Sequence, residues 1–225
     1  MKILLTDEQT GKLERYRDGI LKINRSLNLT RVSDPGEFWD KHVLDSLACA
    51  EIPEYKEAGR ILDLGTGAGF PGVPLAVLSP EKKFVLVDSV GKKLRAVETE
   101  AEKIGLANVS FIHGRAEDLS RDPCLRETFD LCVSRAVANL PVLLEYCLPF
   151  IRTGGSLLSY KGPGYKEEID AASNALKLLG GRVADVIEAG LEDRDMDHYI
   201  VVIRKTAPTP EKYPRKAGTP AKDPL

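Results

Sequence analysis

The sequence has no apolar run long enough to cross a membrane, and its first residues lack the basic-then-apolar order of a secretory signal. We therefore expect a cytoplasmic protein. Its four cysteines, Cys49, Cys124, Cys132 and Cys147, show no C-x-x-C spacing, which favours buried free thiols over a disulfide framework or a metal site. A formal net charge of -2 gives no overall attraction to a polyanion, so any nucleic-acid surface has to be a local patch.

The composition that is present suits a globular protein. With 225 residues, of which 43% are hydrophobic and 29% charged, the chain can bury a full core, and we expect one domain with some appended elements. Apolar residues recur at steps of three and four over residues 13–27, behind a capping box of Thr6 and Gln9, which predicts a long amphipathic helix. Asp34 as N-cap and Pro35 at the first helical position predict a second helix.

From Gly59 onward, short β-rich runs alternate with helical stretches, as in a parallel sheet with crossover helices. The last two runs are joined by a polar connection, residues 188–197, that is too short for a packed helix, which favours an antiparallel pair. The prediction is an α/β fold: a Rossmann-like, seven-stranded, doubly wound sheet whose last strand is antiparallel. The predicted strands are Arg60–Leu64, Lys83–Val87, Val109–His113, Phe129–Ser134, Ser156–Lys161, Arg182–Ile187 and His198–Arg204.

The same pattern divides the chain into an N-terminal helical cap (residues 1–58), a Rossmann-like core (59–205) and a basic, proline-rich tail (206–225). The tail contains five prolines and no apolar period, so we expect it to be extended or disordered on its own. Residues 204–222 carry six basic residues and one acid, with Tyr213 among them, which fits either an RNA clamp or a solubilising terminus. The basic residues are Arg204, Lys205, Lys212, Arg215, Lys216 and Lys222.

A glycine cluster, Gly65, Gly67, Gly69 and Gly72, follows the first predicted strand. Ligands of doubly wound sheets bind beyond the carboxyl ends of the strands, and glycine lets the backbone turn sharply and approach the ligand there. The glycines alone do not distinguish nicotinamide, flavin and S-adenosylmethionine folds. Asp63, directly before them in D-L-G-T-G-A-G, favours a ligand with an ammonium and a sulfonium group over an anionic pyrophosphate.

Acidic residues follow the next two predicted strands. Asp88 lies 23 residues after Gly65, where an acid accepts hydrogen bonds from both ribose hydroxyls, although it also fits a simple helix cap. Ala116 and Glu117 lie where an adenine would be bound, and Glu117 is equally compatible with a helix-capping acid.

The fourth and fifth predicted strands end in basic residues. Arg135 is costly to bury, so it should face either a ligand or an acidic partner. Lys161, before G-P-G, is placed to hold a phosphate of a polynucleotide or is simply solvated. The Asn/Asp-Pro-Pro-aromatic string of amine methyltransferases is absent after the fourth strand, which is consistent with alkylation of a ring nitrogen, because that reaction needs no general base.

Together these residues resemble a family, the bacterial small-subunit ribosomal RNA guanine-N7 methyltransferases, also called glucose-inhibited division protein B. The resemblance spans nearly the whole chain, and G-F-P-G-x-P-L and S-R-A are far more specific than the glycine loop. It is carried by the strings NLTRVSDPGEFWDKHVLDSL (28–47), ILDLGTGAGFPGVPLAVLSP (61–80), LVDSVGKKLRAV (86–97), GRAEDL (114–119), SRAVANL (134–140), YKGP (160–163) and YPRKAGTPAKDPL (213–225).

The resemblance implies a class I S-adenosylmethionine-dependent methyltransferase with an N-terminal helical cap. Gly65 and Phe70 would line the cofactor pocket, Ala116 and Glu117 would border the adenine, and Arg135 would reach the cofactor or the target guanine. The N-terminal block would shape the wall of the cleft, with His42 better explained as a hydrogen-bonded packing residue. The residues of that block are Asn28, Thr30, His42, Asp45 and Ser46.

The implied reaction moves a methyl group from S-adenosylmethionine to N7 of a guanine in 16S ribosomal RNA and leaves S-adenosylhomocysteine. We expect Arg135 and Lys161 to serve the reaction, and Asp63, Gly67 and Asp88 to join the cofactor site. The RNA partner would be free or within the small ribosomal subunit or its precursor, and no obligate protein partner is evident. An NAD-linked oxidoreductase and a non-catalytic binder of RNA or S-adenosylmethionine remain as alternatives.

Overall fold

The structure, a computed structural model, describes residues 5–189 and 198–225. Its centre is a seven-stranded sheet with the order β3-β2-β1-β4-β5-β7-β6. Strands β1 to β5 pair in parallel, and β7 is antiparallel to both β5 and β6, which confirms the predicted doubly wound sheet. The strands are β1 Arg60–Leu64, β2 Lys83–Asp88, β3 Val109–His113, β4 Phe129–Arg135, β5 Ile151–Lys161, β6 Gly181–Glu188 and β7 Tyr199–Lys205.

Strand β5 is longer than predicted. It begins at Ile151, which pairs with Phe129, and the register then shifts before Leu131 pairs with Ser156. Residues 152–155 are polar or glycine, so the sequence pattern did not predict this first part of the strand. Most of the predicted connection between β6 and β7, residues 190–197, lies outside the described residues.

Two helical regions and one further short helix precede the sheet. The capping box of Thr6 and Gln9 begins α1, and the Asp34 side chain accepts a hydrogen bond from the Glu37 amide at the start of the second region, both as predicted. That second region includes a π-helical segment, Trp39–Leu44, which the spacing of apolar residues does not reveal. The helices before β1 are α1 Asp7–Leu27, α2 Pro35–Phe38, α3 Asp45–Leu47 and α4 Pro53–Glu57.

Helices between the strands cover both faces of the sheet, which is the arrangement that βαβ crossovers produce. The stretch after β5 forms two short helices. These helices are α5 Gly72–Leu78, α6 Gly91–Lys103, α7 Ala116–Leu119, α8 Leu140–Cys147, α9 Tyr165–Ala171 and α10 Ser173–Leu179.

One hydrophobic cluster joins the N-terminal helices to the sheet. Tyr16 of α1 and Phe38 of α2 are 1% and 0% exposed and belong to the same cluster as Ile61 of β1 and Val73 of α5. The N-terminal helices and the sheet are therefore parts of one packed core. The boundary between a helical cap (1–58) and a Rossmann-like core (59–205) stays a prediction.

The expectation that residues 206–225 are extended or disordered is wrong. Tyr213 is 6% exposed in the cluster on the other face of the sheet, and Thr219–Lys222 forms a short helix, α11. Arg215 pairs with the fully buried carboxylate of Glu145. Composition indicated an unfolded tail because it does not show that a buried carboxylate elsewhere in the chain, that of Glu145, pairs with Arg215.

All four cysteines are free thiols; Cys49, Cys132 and Cys147 are buried as expected, and Cys124 is exposed. Within the two described ranges, no helix has the length and apolar character needed to span a bilayer.

Candidate functional site

The glycine loop connects β1 to α5, and its backbone requires glycine. Gly65, Gly67 and Gly69 have φ angles of 74°, 59° and 89°, which side chains rarely permit. A Cβ atom on Gly65 would lie 2.3 Å from Val137 Cγ2, and one on Gly69 would lie 2.1 Å from the hydroxyl oxygen of Tyr16. The loop is therefore packed closely from two sides.

Asp63 lies beneath this loop. Its Oδ2 accepts hydrogen bonds from Thr66 Oγ1 at 2.6 Å and from the amide of Gly72 at 2.8 Å. Among the described residues, its Oδ1 has no hydrogen-bond partner although it is buried. Burial raises the pKa of Asp63 to about 6, against the effect of these two hydrogen bonds. The carboxylate thus fixes the loop through one oxygen and leaves the other for a further partner.

Asp88, at the end of β2, also holds the loop. Its Oδ2 accepts from the amide of Gly67 at 2.9 Å, and its Oδ1 accepts from the amide of Val90 at 2.8 Å. The second contact closes a local turn before α6, whose N-cap is Val90 without a side-chain cap, so Asp88 does not cap that helix as the alternative supposed. Its ribose-binding role stays a prediction.

A cavity of about 130 Å³ opens beside Asp88 at the carboxyl ends of β1 and β2. Gly65, Ala116, Glu117 and Val137 share its wall. Glu117 is 4% exposed, and its Oε1 accepts a hydrogen bond from the amide of Gly218 at 2.9 Å. The structure therefore places four of the nine predicted cofactor residues, Gly65, Asp88, Ala116 and Glu117, around one small cavity.

Arg135 faces an acidic partner. Its Nη1 forms an ion pair with Asp45 Oδ2 of the N-terminal region and donates to the carbonyl of Lys41 at 3.1 Å. Its guanidinium carbon lies 5.6 Å from the centre of the Phe70 ring, a cation–π arrangement. Burial opposes ionisation of Asp45, but a hydrogen bond from His198 and the charge of Arg135 lower its pKa.

His42 has the geometry of a packing residue. Its ring stacks on Phe70 with centroids 5.0 Å apart, and its Nε2 lies 2.7 Å from Thr30 Oγ1. Arg135 Nη2 lies 3.4 Å from Nδ1, so Nδ1 is the acceptor and Nε2 carries the hydrogen that is donated to Thr30. Burial and the positive charge of Arg135 lower the pKa of His42 to about 4. Phe70 is itself 5% exposed and lies behind Arg135.

Lys161, at the end of β5, is paired rather than solvated. Its Nζ donates to Glu168 Oε2 at 2.7 Å and to the carbonyl of Ala138 at 2.9 Å. The same Glu168 oxygen accepts from the amide of Leu140 at 2.6 Å. Lys161 therefore fixes the loop after β4, residues 136–139, against α9.

A larger cavity, of about 530 Å³, lies on the other side of that loop. Arg135, Lys161, His198 and Asp45 line it, and its size is in the range of ligand sites. Val137, which is 37% exposed, borders both this cavity and the smaller one. Four of the predicted cofactor residues and the predicted basic residues Arg135 and Lys161 thus line adjoining spaces.

Comparison with known proteins agrees with this arrangement. The family model described as rRNA small subunit methyltransferase G matches residues 9–196. The chain belongs to this family. It is 45% identical over 221 residues to a ribosomal RNA small subunit methyltransferase G of Alkaliphilus metalliredigens, covering 98% of this chain and 92% of that protein. It is 44% identical over 225 residues to the protein of that name from Alkaliphilus oremlandii, covering 100% and 94%.

Solved methyltransferase structures share the fold of this family member at low sequence identity. An O-methyltransferase from Bacillus cereus, in complex with S-adenosylhomocysteine, superposes with a TM-score of 0.58 at 17% identity, covering 84% of this chain and 90% of that one. A putative methyltransferase bound to the Haloferax volcanii Trm112 activator gives a TM-score of 0.59 at 16% identity, covering 84% and 98%. The class I methyltransferase fold is thereby established.

The residues of this methyltransferase fit S-adenosylmethionine better than a dinucleotide. The carboxylates of Asp63, Asp88 and Glu117 converge on the smaller cavity or on the loop beside it. Asp63 Oδ1 is a buried acceptor that still lacks a donor. This concentration of negative charge suits an ammonium and a sulfonium and opposes a pyrophosphate.

Sequence reasoning did not assign a specific contact to several residues that shape the site of this methyltransferase. Asp45 was expected only to help shape the cleft wall, Val137 lay in the string SRAVANL without a role, and Glu168 carried no motif signal. Their contacts with Arg135, Lys161 and Gly65 join distant parts of the chain. Only the requirement that a buried arginine needs an acid pointed toward Asp45.

Proposed function

We propose that this protein transfers a methyl group from S-adenosylmethionine to N7 of a guanine in 16S ribosomal RNA. Methylation of small-subunit ribosomal RNA is the activity for which its family is named. The observation that carries the proposal is the pair of adjoining cavities that share Val137. One has Asp88 and Glu117 in its wall, and the other is lined by Arg135 and Lys161 together with their ion-pair partners Asp45 and Glu168.

The smaller cavity would hold the cofactor, with Asp88 toward the ribose and Ala116 and Glu117 toward the adenine. When bound, S-adenosylmethionine supplies an electrophilic methyl group and leaves as S-adenosylhomocysteine. Gly65 and Gly67 allow the backbone to approach the cofactor closely. Asp63 acts through the loop that it fixes, and its unpartnered Oδ1 is the oxygen left for a positively charged ligand group.

Within the loop, Gly69 and Phe70 would complete the cofactor site on the side that faces the protein core. Gly69 packs against the Tyr16 hydroxyl group, and Phe70 supports Arg135. These two residues keep the shape of the loop rather than supply charge.

The larger cavity would hold the target nucleotide, with Arg135 toward the base and Lys161 toward a phosphate. A guanine N7 carries a free lone pair, so the protein has to place it and exclude water, and no proton has to be removed. His42 agrees with this, because a pKa of about 4 makes it a poor proton acceptor at neutral pH. We place the reaction on the small subunit or its precursor, in the cytoplasm.

The test combines label transfer with mapping of the product. Purified protein would be incubated with methyl-labelled S-adenosylmethionine and small subunits from cells that lack this gene, and the RNA would be analysed for 7-methylguanine. We expect one labelled guanine in 16S RNA. Asp88→Ala should weaken cofactor binding and leave RNA binding nearly intact. Label in another nucleotide would contradict the proposed target.

Two further outcomes identify the alternatives. Saturable binding of S-adenosylmethionine or RNA without label transfer would indicate a non-catalytic binder. Calorimetry that detects NAD binding but no S-adenosylmethionine binding would indicate an oxidoreductase and would overturn the proposal. Asp34→Ala serves as a matched control for Asp88→Ala, because Asp34 caps a helix that lies away from the smaller cavity.

A further inference from the structure

Residues 213–218 lie against the wall of the smaller cavity. The amide of Gly218 donates a 2.9 Å hydrogen bond to Oε1 of Glu117, a residue that is 4% exposed and lines that cavity. Gly218 has a φ angle of 83°, which glycine adopts readily. This backbone conformation orients the Gly218 amide, so the hydrogen bond to Glu117 depends on it.

A second contact holds this segment in place. The main-chain amide of Arg215 donates to Glu145 Oε1 at 2.7 Å. The guanidinium Nη2 of Arg215 donates to Glu145 Oε2 at 2.8 Å. Glu145 is fully buried, and Arg215 supplies its counter-charge. The next residue, Tyr146, lines the smaller cavity beside Glu117. Arg215 therefore anchors the segment to Glu145, the residue directly before the cavity-lining Tyr146.

The same contacts weaken the case for the segment as an RNA clamp. Three of the six basic residues counted in this region are paired inside the protein: Arg204 with Glu54, Lys205 with Glu127 and Arg215 with Glu145. The other three, Lys212, Lys216 and Lys222, are exposed, but so are the acids Glu211 and Asp223. The surface charge of the region is therefore nearly balanced, and little net attraction to a phosphate backbone remains.

We propose that residues 213–218 form part of the cofactor site and that Arg215 and Gly218 are positioning residues for the Glu117 carboxylate. Arg215 fixes the segment on Glu145, and the Gly218 amide then holds Glu117 at the cavity wall. This inference rests on the proposed function, because it assigns the smaller cavity to S-adenosylmethionine.

The experiment measures S-adenosylhomocysteine affinity by calorimetry and steady-state kinetics for the full-length protein and three variants. Arg215→Ala removes the anchor. Gly218→Ala retains all charges, and its new Cβ would have no atom within 4 Å, so it disturbs only the left-handed backbone. Lys216→Ala is the matched control, because it removes an exposed charge next to Arg215.

We expect Arg215→Ala and Gly218→Ala to weaken cofactor affinity about tenfold, which corresponds to losing one hydrogen bond to a charged group. The KM for S-adenosylmethionine should rise, while kcat and the KM for RNA stay near the wild-type values. Lys216→Ala should behave as wild type. If Arg215→Ala fails to fold, Gly218→Ala carries the test, because it leaves the buried ion pair intact.

Three results would overturn the inference. Unchanged cofactor affinity in a folded Gly218→Ala variant would show that the segment does not position Glu117. A raised KM for RNA in both Arg215→Ala and Lys216→Ala, with unchanged cofactor affinity, would make the segment an RNA-binding element. Wild-type protein that binds no S-adenosylhomocysteine would instead remove the proposed function, and the inference with it.

Discussion

Asp45 and Arg135 are 90 positions apart in the sequence and form an ion pair in which the acid is 2% and the arginine 15% exposed. The pair joins the N-terminal helices to the end of β4. A charge buried to this extent is stable only when it is paired, so each residue determines the position of the other. The N-terminal region therefore takes part in shaping the larger cavity.

Asp45→Asn should reduce both stability and methyl transfer. It leaves Arg135 without a counter-charge, which typically costs about 3 kcal/mol of unfolding free energy when one partner of a buried pair is lost. Urea unfolding and label transfer measure the two effects, and cofactor affinity should change little. Glu37→Gln is the control, because it breaks the exposed pair with Lys41 and should cost less than about 1 kcal/mol. Equal effects of the two variants would contradict the assigned role of the Asp45 pair.

Gly65→Ala should abolish cofactor binding, because the new Cβ atom would lie 2.3 Å from Val137 Cγ2. Gly105→Ala is a matched control with a similar φ angle, 70° against 74°, and no atom within 4 Å of the new Cβ. Both variants should lose roughly 1 kcal/mol of stability from backbone strain. Thermal unfolding and S-adenosylhomocysteine calorimetry separate strain from collision. Truncation of Val137 to alanine in the Gly65→Ala background should restore part of the binding; failure to do so would exclude Val137 as the cause.

His42 should make the protein less stable as the pH falls. Its pKa is lowered from 6.5 to about 4 by burial and by Arg135, so the unfolded chain binds a proton that the folded protein does not. The stabilising contribution of neutral His42 should therefore shrink by about 2 kcal/mol between about pH 7 and about pH 5. Unfolding titrations of wild type and His42→Gln measure this difference. His113→Gln controls for loss of an exposed imidazole, and identical slopes in wild type and His42→Gln would refute the prediction.

Asp63 should have the opposite pH dependence. Burial raises its pKa from 3.8 to about 6, so the folded protein holds a proton that the unfolded chain has released. The contribution of Asp63 is favourable below about pH 4 and is lost as the pH rises to about 6, by about 3 kcal/mol in total. Unfolding free energies of wild type and Asp63→Asn, compared at each pH, should diverge across that interval. Parallel curves would show that the buried carboxylate titrates normally.

Local patterns were sufficient to predict much of the fold. The predicted strands Arg60–Leu64 and Val109–His113 match the structure residue for residue, and the capping box at Thr6 begins α1 as expected. These features depend on residues a few positions apart, so the sequence displays them directly. The positions of Gly65 and Asp88 beside one cavity followed from the rule that ligands bind at the carboxyl ends of parallel strands.

Contacts between distant segments were not predictable. The π-helical segment Trp39–Leu44 has no sequence signature, and it contains His42 and ends directly before Asp45. The tail, residues 206–225, was expected to be unfolded. Its composition does not show that Arg215 hydrogen-bonds to Glu145 and Gly218 to Glu117, both far away in the sequence. Both contacts of the tail are favourable because they satisfy a buried carboxylate. Only the fold shows which residue each carboxylate contacts.

The hydrogen bond from Gly218 to Glu117 spans 101 positions. The strands that form the floor of the smaller cavity are synthesised long before residue 218. Until then, Glu117 in the cavity wall lacks the hydrogen bond from the Gly218 amide. A nascent chain therefore cannot assemble this side of the cavity while it is being translated through β5. The protein becomes able to close that wall only after residue 218 has been synthesised.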